Sequence, residues 1–314
     1  MFSVIIPLFN KSNYILRTIE SVQKQSFQDW EIIVIDDGST DDGYEKILSL
    51  NSKRITLLKK ENTGVSASRN LGISKAQFPY IAFLDADDYW HEDYLKLMKK
   101  GIELIPNTLI WASSFTKELT GVNVSTKDFE KIDNYFQKDF RNTLFFTSSV
   151  IMKKKFFENH PGFKSHLKRG EDLDVWFRAI CLGGNLAYCK SSPVYYERGD
   201  STGATKTSFP LKASLLSHIL RDDYLLSHEI EPSQYEKFEN FKNKFVYLNL
   251  IKYASNPENN KEITNILNQI TKKNYWVDLV YKLPYKFLIL ILNNKRGSRL
   301  LNRYISYNLK ISIF

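Results

Sequence analysis

The stretch Phe83-Leu84-Asp85-Ala86-Asp87-Asp88 brings a run of apolar residues to an abrupt stop at three carboxylates. A buried strand ending this way sets Asp85 and Asp87 at its carboxyl edge, where open α/β sheets hold their ligands. Oxygen donors at this spacing suit a hard divalent cation such as Mg²⁺, which keeps waters and a substrate phosphate in its shell and needs only one or two protein carboxylates. The pattern points to a nucleoside diphosphate held through a metal. Acidic loops after strands are also common as merely solvated turns, and this motif alone leaves both readings open. A second acidic strand end lies upstream, in Trp30-Glu31-Ile32-Ile33-Val34-Ile35-Asp36-Asp37-Gly38-Ser39-Thr40-Asp41. Its β-branched run predicts a fully buried strand, and Gly38-Ser39-Thr40 a turn that caps a helix. Asp36 and Asp37 then share an edge with Asp85 and Asp87, which favours a site. The structural alternative is that Asp37 and Asp41 are only turn and cap residues.

These acids need a scaffold, and residues 1 to 113 supply the pattern of one. Strand and helix alternate as in a mostly parallel sheet covered on both faces. Strands are predicted at Ser3 to Ile6, up to Asp36, at Ile55 to Leu58, at Tyr80 to Leu84 and at Leu109 to Ala112. A helix from Asn13 to Gln25 carries Ile15, Ile19 and Val22 on one face. Another opens at Thr63-Gly64-Val65-Ser66-Ala67-Ser68-Arg69-Asn70, where Gly64 and small residues allow close packing on the sheet. A third runs near Tyr94 to Leu104. Thr147-Ser148-Ser149-Val150-Ile151-Met152 reads as a further strand, its hydroxyls facing sugar or filling the strand.

The chain has 314 residues, 43% of them apolar, with 21 Phe and 18 Tyr. This suffices for one α/β domain of roughly 200 residues plus a smaller appendage. Cys181 and Cys189 show no metal-finger spacing, and Met1-Phe2 leads straight into the first strand without a basic leader, so a cytoplasmic setting is expected. The net charge of +9 is uneven. Residues 1–205 carry 27 Lys and Arg against 26 Asp and Glu, whereas residues 206–314 carry 17 against 9. Helix-turn-helix, zinc-finger and RNA-recognition signatures are absent, which argues against a nucleic-acid partner.

Four ordered motifs carry a resemblance: Ser3-Val4-Ile5-Ile6-Pro7-Leu8-Phe9-Asn10-Lys11, Val34 to Asp41, Asn62-Thr63-Gly64-Val65-Ser66-Ala67-Ser68-Arg69-Asn70-Leu71-Gly72, and Ala82 to Asp88. Together with Arg169-Gly170-Glu171-Asp172-Leu173-Asp174-Val175-Trp176-Phe177-Arg178, they resemble glycosyltransferase family 2. The resemblance spans residues 3 to about 205. It implies an α/β GT-A fold with a mostly parallel Rossmann-like sheet, helices on both faces and a C-terminal helical extension. The implied domains are 1–205, split into a nucleotide-binding half (1–113) and an acceptor-binding half (114–205), followed by a basic extension at 206–314. The implied activity is metal-dependent, inverting transfer of a hexosyl or N-acetylhexosaminyl unit from a UDP-sugar to a saccharide or lipid-linked acceptor in bacterial surface polysaccharide synthesis. The alternative is a catalytically weak relative that binds nucleotide or serves as a scaffold.

Carried over residue by residue, Pro7 and Phe9 line the base, Asp37 accepts from the uracil ring or ribose, and Arg69 lies near the diphosphate. Arg69 could instead be a helix-surface arginine in an ordinary ion pair. Asp85 faces the ribose or the metal's outer shell, Asp87 is the principal ligand of Mg²⁺ or Mn²⁺, and Asp85 and Asp200 are further candidate ligands. Asp172 is the candidate general base; its structural alternative is to favour, with Glu171, the N-terminal dipole of the following helix. Trp176 offers a sugar-stacking face or fills the core. Where many members carry a histidine, this chain reads Glu197-Arg198-Gly199-Asp200-Ser201-Thr202-Gly203, with Arg198 a candidate phosphate contact and the segment expected to be a mobile loop.

Residues 274–314 hold seven basic residues and one acid, Asp278. Between Tyr275 and Leu292 the chain is apolar and aromatic except for Asp278, Lys282 and Lys286, which form one polar stripe on a helix that Pro284 kinks. The longest apolar run, Phe287 to Leu292, is far short of the roughly 20 residues that span a bilayer. With Lys295, Arg296, Arg299 and Arg303 following, the segment is expected to lie on an anionic membrane surface at the inner face of the cytoplasmic membrane. The alternative is ordinary packing on the catalytic domain.

Overall fold

The computed structural model describes residues 1–125, 128–138, 144–197, 209–221 and 230–311. The chain divides into two compact units: Met1–Asp133 with Leu144–His166 and Glu171–Thr207, and Asn134–Thr143 with Leu167–Gly170 and Ser208–Phe314.

The first unit begins as the alternation predicts, with β1 (Phe2–Leu8), α1 (Ile15–Gln23), β2 (Trp30–Asp36), α2 (Gly43–Leu48), β3 (Ile55–Lys59), α3 (Val65–Lys75) and β4 (Tyr80–Phe83). It continues through β5 (Tyr89–Trp90), α4 (Tyr94–Leu104), β6 (Ile110–Ser113) and β7 (Phe129–Ile132). A short helix, α5 (Tyr135–Lys138), belongs to the second unit; β8 (Val150–Lys153), α6 (Lys154–Asn159), α7 (Glu171–Gly183), β9 (Leu186–Cys189) and β10 (Val194–Tyr195) complete the first. Eight strands form one sheet in the order β3-β2-β1-β4-β8-β6-β9-β7, and β5 pairs with β10 in a separate ribbon. The half from β3 to β4 is parallel throughout. Beyond it, β8 runs antiparallel between β4 and β6, while β6 and β9 are parallel.

On one face of the sheet Phe2, Val4, Ile6 and Leu8 join a core with Ile15, Ile19 and Val22 of α1 and Tyr94, Leu95 and Met98 of α4. On the other, α3 packs so close to β1 that a Cβ at Gly72 would lie 2.5 Å from Ile5 Cγ2. Gly72 is therefore the residue that allows close packing; Gly64, at φ 95°, serves the turn into α3. Thr147-Ser148-Ser149 is not strand but a 3₁₀ turn ahead of β8. The Thr147 and Ser148 hydroxyls leave the strand pattern to bind Asp172 and Asp88, while Ser149 Oγ bonds the Phe146 backbone within the turn. Trp176 is fully buried, 5.5 Å from the Phe83 ring and 5.8 Å from Phe163, and so fills the core. Neither cysteine is in a disulfide, and both are buried.

The second unit is helical: α5, α8 (Pro232–Leu250), α9 (Asn260–Gln269), α10 (Tyr275–Tyr281), α11 (Tyr285–Asn293) and α12 (Lys295–Ile311). Pro284 does not kink one helix; it is the N-cap of α11, so 275–292 is two helices. A proline has no N–H to continue the ladder and drives the residue before it out of helical geometry. Asp278 does not join an outer polar stripe either, since its carboxylate accepts from Tyr247 Oη at 2.7 Å. Among the described residues no helix is long and apolar enough to cross a membrane.

Candidate active site

The carboxyl ends of β1, β2 and β4 lie side by side, with Leu8 in register with Asp36 and Ile5 with Phe83. The loop after β1 turns at Asn10, whose positive φ of 52° suits the short amide side chain. Asn10 Oδ1 accepts from Thr40 N–H at 2.8 Å, and Asp41 accepts from Ser12 N–H at 2.8 Å, so the first two loops brace each other. Pro7 is half-buried and Phe9 is 44% exposed at this edge. Asp37 is buried. Its carboxylate accepts from Thr63 N–H and Gly64 N–H, both at 2.9 Å, and pairs with Lys60. It therefore fixes the turn that starts α3.

Arg69 on α3 is 3% exposed and reaches two acids from distant parts of the chain. Its Nη2 donates to Asp85 Oδ1 at 2.9 Å and its Nη1 to Glu171 Oε1 at 3.1 Å, with the guanidinium 5.2 Å from the Phe163 ring centre. Burial pulls its pKa down, but Asp85, Glu171 and Asp172 together outweigh burial and leave it above its ordinary value. This is a buried two-acid clamp rather than a helix-surface pair. Burial first, and then the neighbouring Asp172, push the Glu171 carboxyl upward against the pull of Arg69.

Asp87 pairs with Lys11 Nζ through Oδ2 at 2.7 Å, and its carbonyl accepts from Arg17 Nη2 at 2.8 Å. Arg17 also reaches Glu197 at 3.2 Å. Burial, with help from Asp85, holds the Asp87 carboxyl above its usual range although Lys11 opposes it. Asp88 is fully buried; it accepts from Ser148 Oγ at 2.5 Å and from Glu197 N–H at 2.9 Å. Burial, then Asp85 and Asp87, raise it well above the ordinary carboxylate range. Thr18 Oγ1 clamps the same loop through the carbonyls of Ala86 and Asp88, at 2.9 and 2.7 Å.

Asp172 is the second residue of α7, which follows Gly170 at φ 78°. Its Oδ2 accepts from Thr147 Oγ1 at 3.2 Å and its Oδ1 from Leu173 N–H at 2.7 Å. Asp174, the third acid of that motif, is buried and held by Lys164 and Arg178 at 3.0 and 2.8 Å, a structural anchor. Arg198 and Asp200, with the loop expected around them, lie outside the described residues.

The fold thus joins Asp85, Asp87, Asp88, Glu171, Asp172 and Glu197 through Lys11, Arg17, Arg69, Thr147 and Ser148. Lys11 and Arg17 were given no site role from the sequence, and Ser148 only the alternatives of facing sugar or filling a strand. Lys11 stands within the first motif, but only the fold turns it toward Asp87, 76 residues away. Six acids stand against three bases at this edge, and an added cation would offset the repulsion between ionised carboxylates and a diphosphate. The donor set fits such an ion: oxygen atoms, one already facing the Lys11 ammonium. Among the described residues no group of three or more His, Cys, Asp and Glu side chains could hold a metal. A cation beside Asp87 would therefore draw its remaining ligands from water and substrate.

This sheet and helix arrangement is the GT-A fold. Staphylococcus aureus TarS 1-349 in complex with UDP-GlcNAc superimposes with a TM-score of 0.66 at 19% identity, over 98% of this chain and 90% of that one. The chain belongs to glycosyl transferase family 2, whose family model matches residues 3–160. An uncharacterized glycosyltransferase of Rickettsia felis is 31% identical over 233 residues, which is 71% of this chain and 38% of that protein. The putative teichuronic acid biosynthesis glycosyltransferase TuaG of Bacillus subtilis is 35% identical over 198 residues, covering 58% of this chain and 73% of TuaG. The chain spans 33% to 38% of the length of the three Rickettsia glycosyltransferases it matches.

Proposed function

We propose that this glycosyltransferase moves a hexosyl or N-acetylhexosaminyl unit from a UDP-sugar to a saccharide or lipid-linked acceptor, with inversion, in bacterial surface polysaccharide synthesis. The observation that carries the reading is Arg69, which ties the strand-end acid Asp85 to Glu171, the neighbour of Asp172. Donor-side and acceptor-side acids are thereby held as one unit although 102 residues separate Arg69 from Glu171. The UDP-GlcNAc complex of the structural relative and the family's activity support a nucleotide-sugar donor.

In this reading residues 1–113 bind nucleotide and 114–205 bind acceptor, with 206–314 as an extension. Pro7 and Phe9 present an apolar edge to the base, and Asp37, already holding the turn before α3, keeps spare acceptor capacity for uracil or ribose, since a carboxylate has about four lone-pair sites. Asp87 holds Mg²⁺ or Mn²⁺, with Asp85 and Asp200 as further oxygen donors. The bound ion supplies a Lewis acid that neutralises charge on the departing diphosphate. Lys11 and Arg17 add positive charge at the same end. Asp172, oriented by Thr147, accepts the proton of the attacking hydroxyl, a role typically worth about 10²- to 10⁴-fold in rate. Attack from the face opposite the leaving group inverts the anomeric centre, as in inverting glycosidases. Attachment through 274–314 to the inner face of the cytoplasmic membrane keeps the enzyme where lipid-linked acceptors reside.

The test is donor turnover over a panel of UDP-sugars with Mg²⁺, Mn²⁺ or chelator. Release of UDP from one donor, dependent on divalent ion and accelerated by an acceptor saccharide, supports the proposal. UDP binding without turnover of any donor would replace it with the scaffold alternative.

A further inference from the structure

The second unit presents an exposed face whose composition fits a lipid bilayer. On α12, Leu300 and Tyr307 are each 64% exposed, and Tyr304 and Ile311 are exposed beside them. At about 100° per residue, these four fall within an arc of about 60°. Arg296, Arg299, Arg303 and Lys310 are exposed too and fall in an adjoining arc of similar width. The buried Ile305, Asn308 and Leu309 lie on the far side. The helix therefore has three stripes: one packed, one apolar and aromatic, one cationic. α12 contains no acid to neutralise its five basic residues.

The apolar stripe continues onto α10. Tyr304 Oη donates to the Trp276 carbonyl at 3.4 Å, and Trp276 is itself 56% exposed beside an exposed Tyr275. Exposed Tyr and Trp next to Arg and Lys are what an interfacial surface requires, since the rings sit at headgroup depth and the cations meet lipid phosphates. Core packing does not explain these residues, because α10 already buries Val277 and Val280, and Asp278 and Tyr281 bond to Tyr247 of α8.

We propose that the joined outer stripes of α10 and α12 form an interfacial docking face for an anionic phospholipid bilayer, Trp276, Leu300, Tyr304 and Tyr307 entering the headgroup region and Arg296, Arg299 and Arg303 pairing with lipid phosphates. The inference rests on the proposed membrane attachment and assigns it to particular residues of α10 and α12. Each basic residue near an anionic leaflet contributes about fivefold in affinity, and the contribution fades as salt shortens the screening length.

The test is co-sedimentation of the full chain with vesicles of phosphatidylcholine alone or with 30% phosphatidylglycerol, at two salt concentrations, using intact protein, Arg299→Ala/Arg303→Ala and Trp276→Ala/Tyr307→Ala. All four positions are exposed, so the helices should keep their circular dichroism. The proposal expects binding to the anionic vesicles, an approximately 25-fold loss with the arginine pair that high salt abolishes, and a loss at both salt concentrations with the aromatic pair. Binding that neither pair alters would leave membrane attachment standing and overturn this face. No vesicle binding by the intact chain would overturn both. Self-association that the aromatic pair abolishes, without vesicle binding, would make a second copy the occupant. UDP-sugar turnover measured without vesicles reports separately on the glycosyltransferase reading.

Discussion

Replacing Arg69 by methionine should produce a stability loss that depends on pH in a specified direction. The side chain is 3% exposed and its guanidinium holds two carboxylates, at 2.9 and 3.1 Å. Breaking a buried ion pair by removing one partner costs about 3–5 kcal/mol, because the remaining charge is stranded. Methionine keeps much of the contact with Phe163, so most of the loss is electrostatic. Glu171 sets the pH dependence. Its folded pKa is already raised, chiefly by burial and next by Asp172, and Arg69 opposes both. Without Arg69 the rise must be larger. A carboxyl with a raised folded pKa favours folding at pH values below its unfolded pKa, and that contribution is lost as pH climbs through the folded value. The variant should therefore lose the most stability at neutral and higher pH and recover part of it near pH 5. Urea unfolding at pH 5 and pH 8, followed by tryptophan fluorescence, reads this directly, since Trp30, Trp90, Trp111 and Trp176 all lie in the first unit. Equal losses at the two pH values, or a loss under about 1 kcal/mol at pH 8, would refute the clamp.

Three further outcomes follow from the site and sheet. Asp172→Asn keeps the shape and the bond to Thr147 but removes basicity, so sugar transfer should fall by at least about 10²-fold with UDP affinity unchanged; transfer near wild type would return Asp172 to capping α7. Asp87→Ala should abolish the gain in UDP affinity on adding Mg²⁺ or Mn²⁺, a gain expected to reach at least about tenfold in the intact protein by calorimetry. The same metal dependence in both proteins would dismiss Asp87 as ligand. Gly72→Ala places a methyl 2.5 Å from Ile5 Cγ2 and should destabilise by about 1–3 kcal/mol, whereas helix propensity alone would stabilise by about 1 kcal/mol. The sign of the change in urea midpoint decides between them.

The nucleotide-side half of the sheet was legible from local pattern. Continuous β-branched runs announce strands buried on both faces, and their abrupt ends at Asp36 and before Asp85 mark the sheet edge without any knowledge of distant contacts. The second half was not, because β8 enters antiparallel between β4 and β6 out of chain order, which no periodicity encodes. The same limit hid half of the site. Ser148 stood open between facing sugar and filling a strand until the fold set it against Asp88, 60 residues away.

By itself, the sequence determined the family, the parallel strands and the candidate acids Asp85, Asp87 and Asp172, because those depend on residue type and short spacing. Only the tertiary structure decided which groups hold those acids: Arg69 on Asp85, Lys11 on Asp87 and Thr147 on Asp172. It also decided that the exposed apolar and cationic residues of α12 lie on adjoining stripes, apart from its packed side. In both cases the deciding quantity was which polar or apolar groups each side chain met once water was excluded. That depends on three-dimensional neighbours drawn from across the chain, and composition and spacing do not contain it.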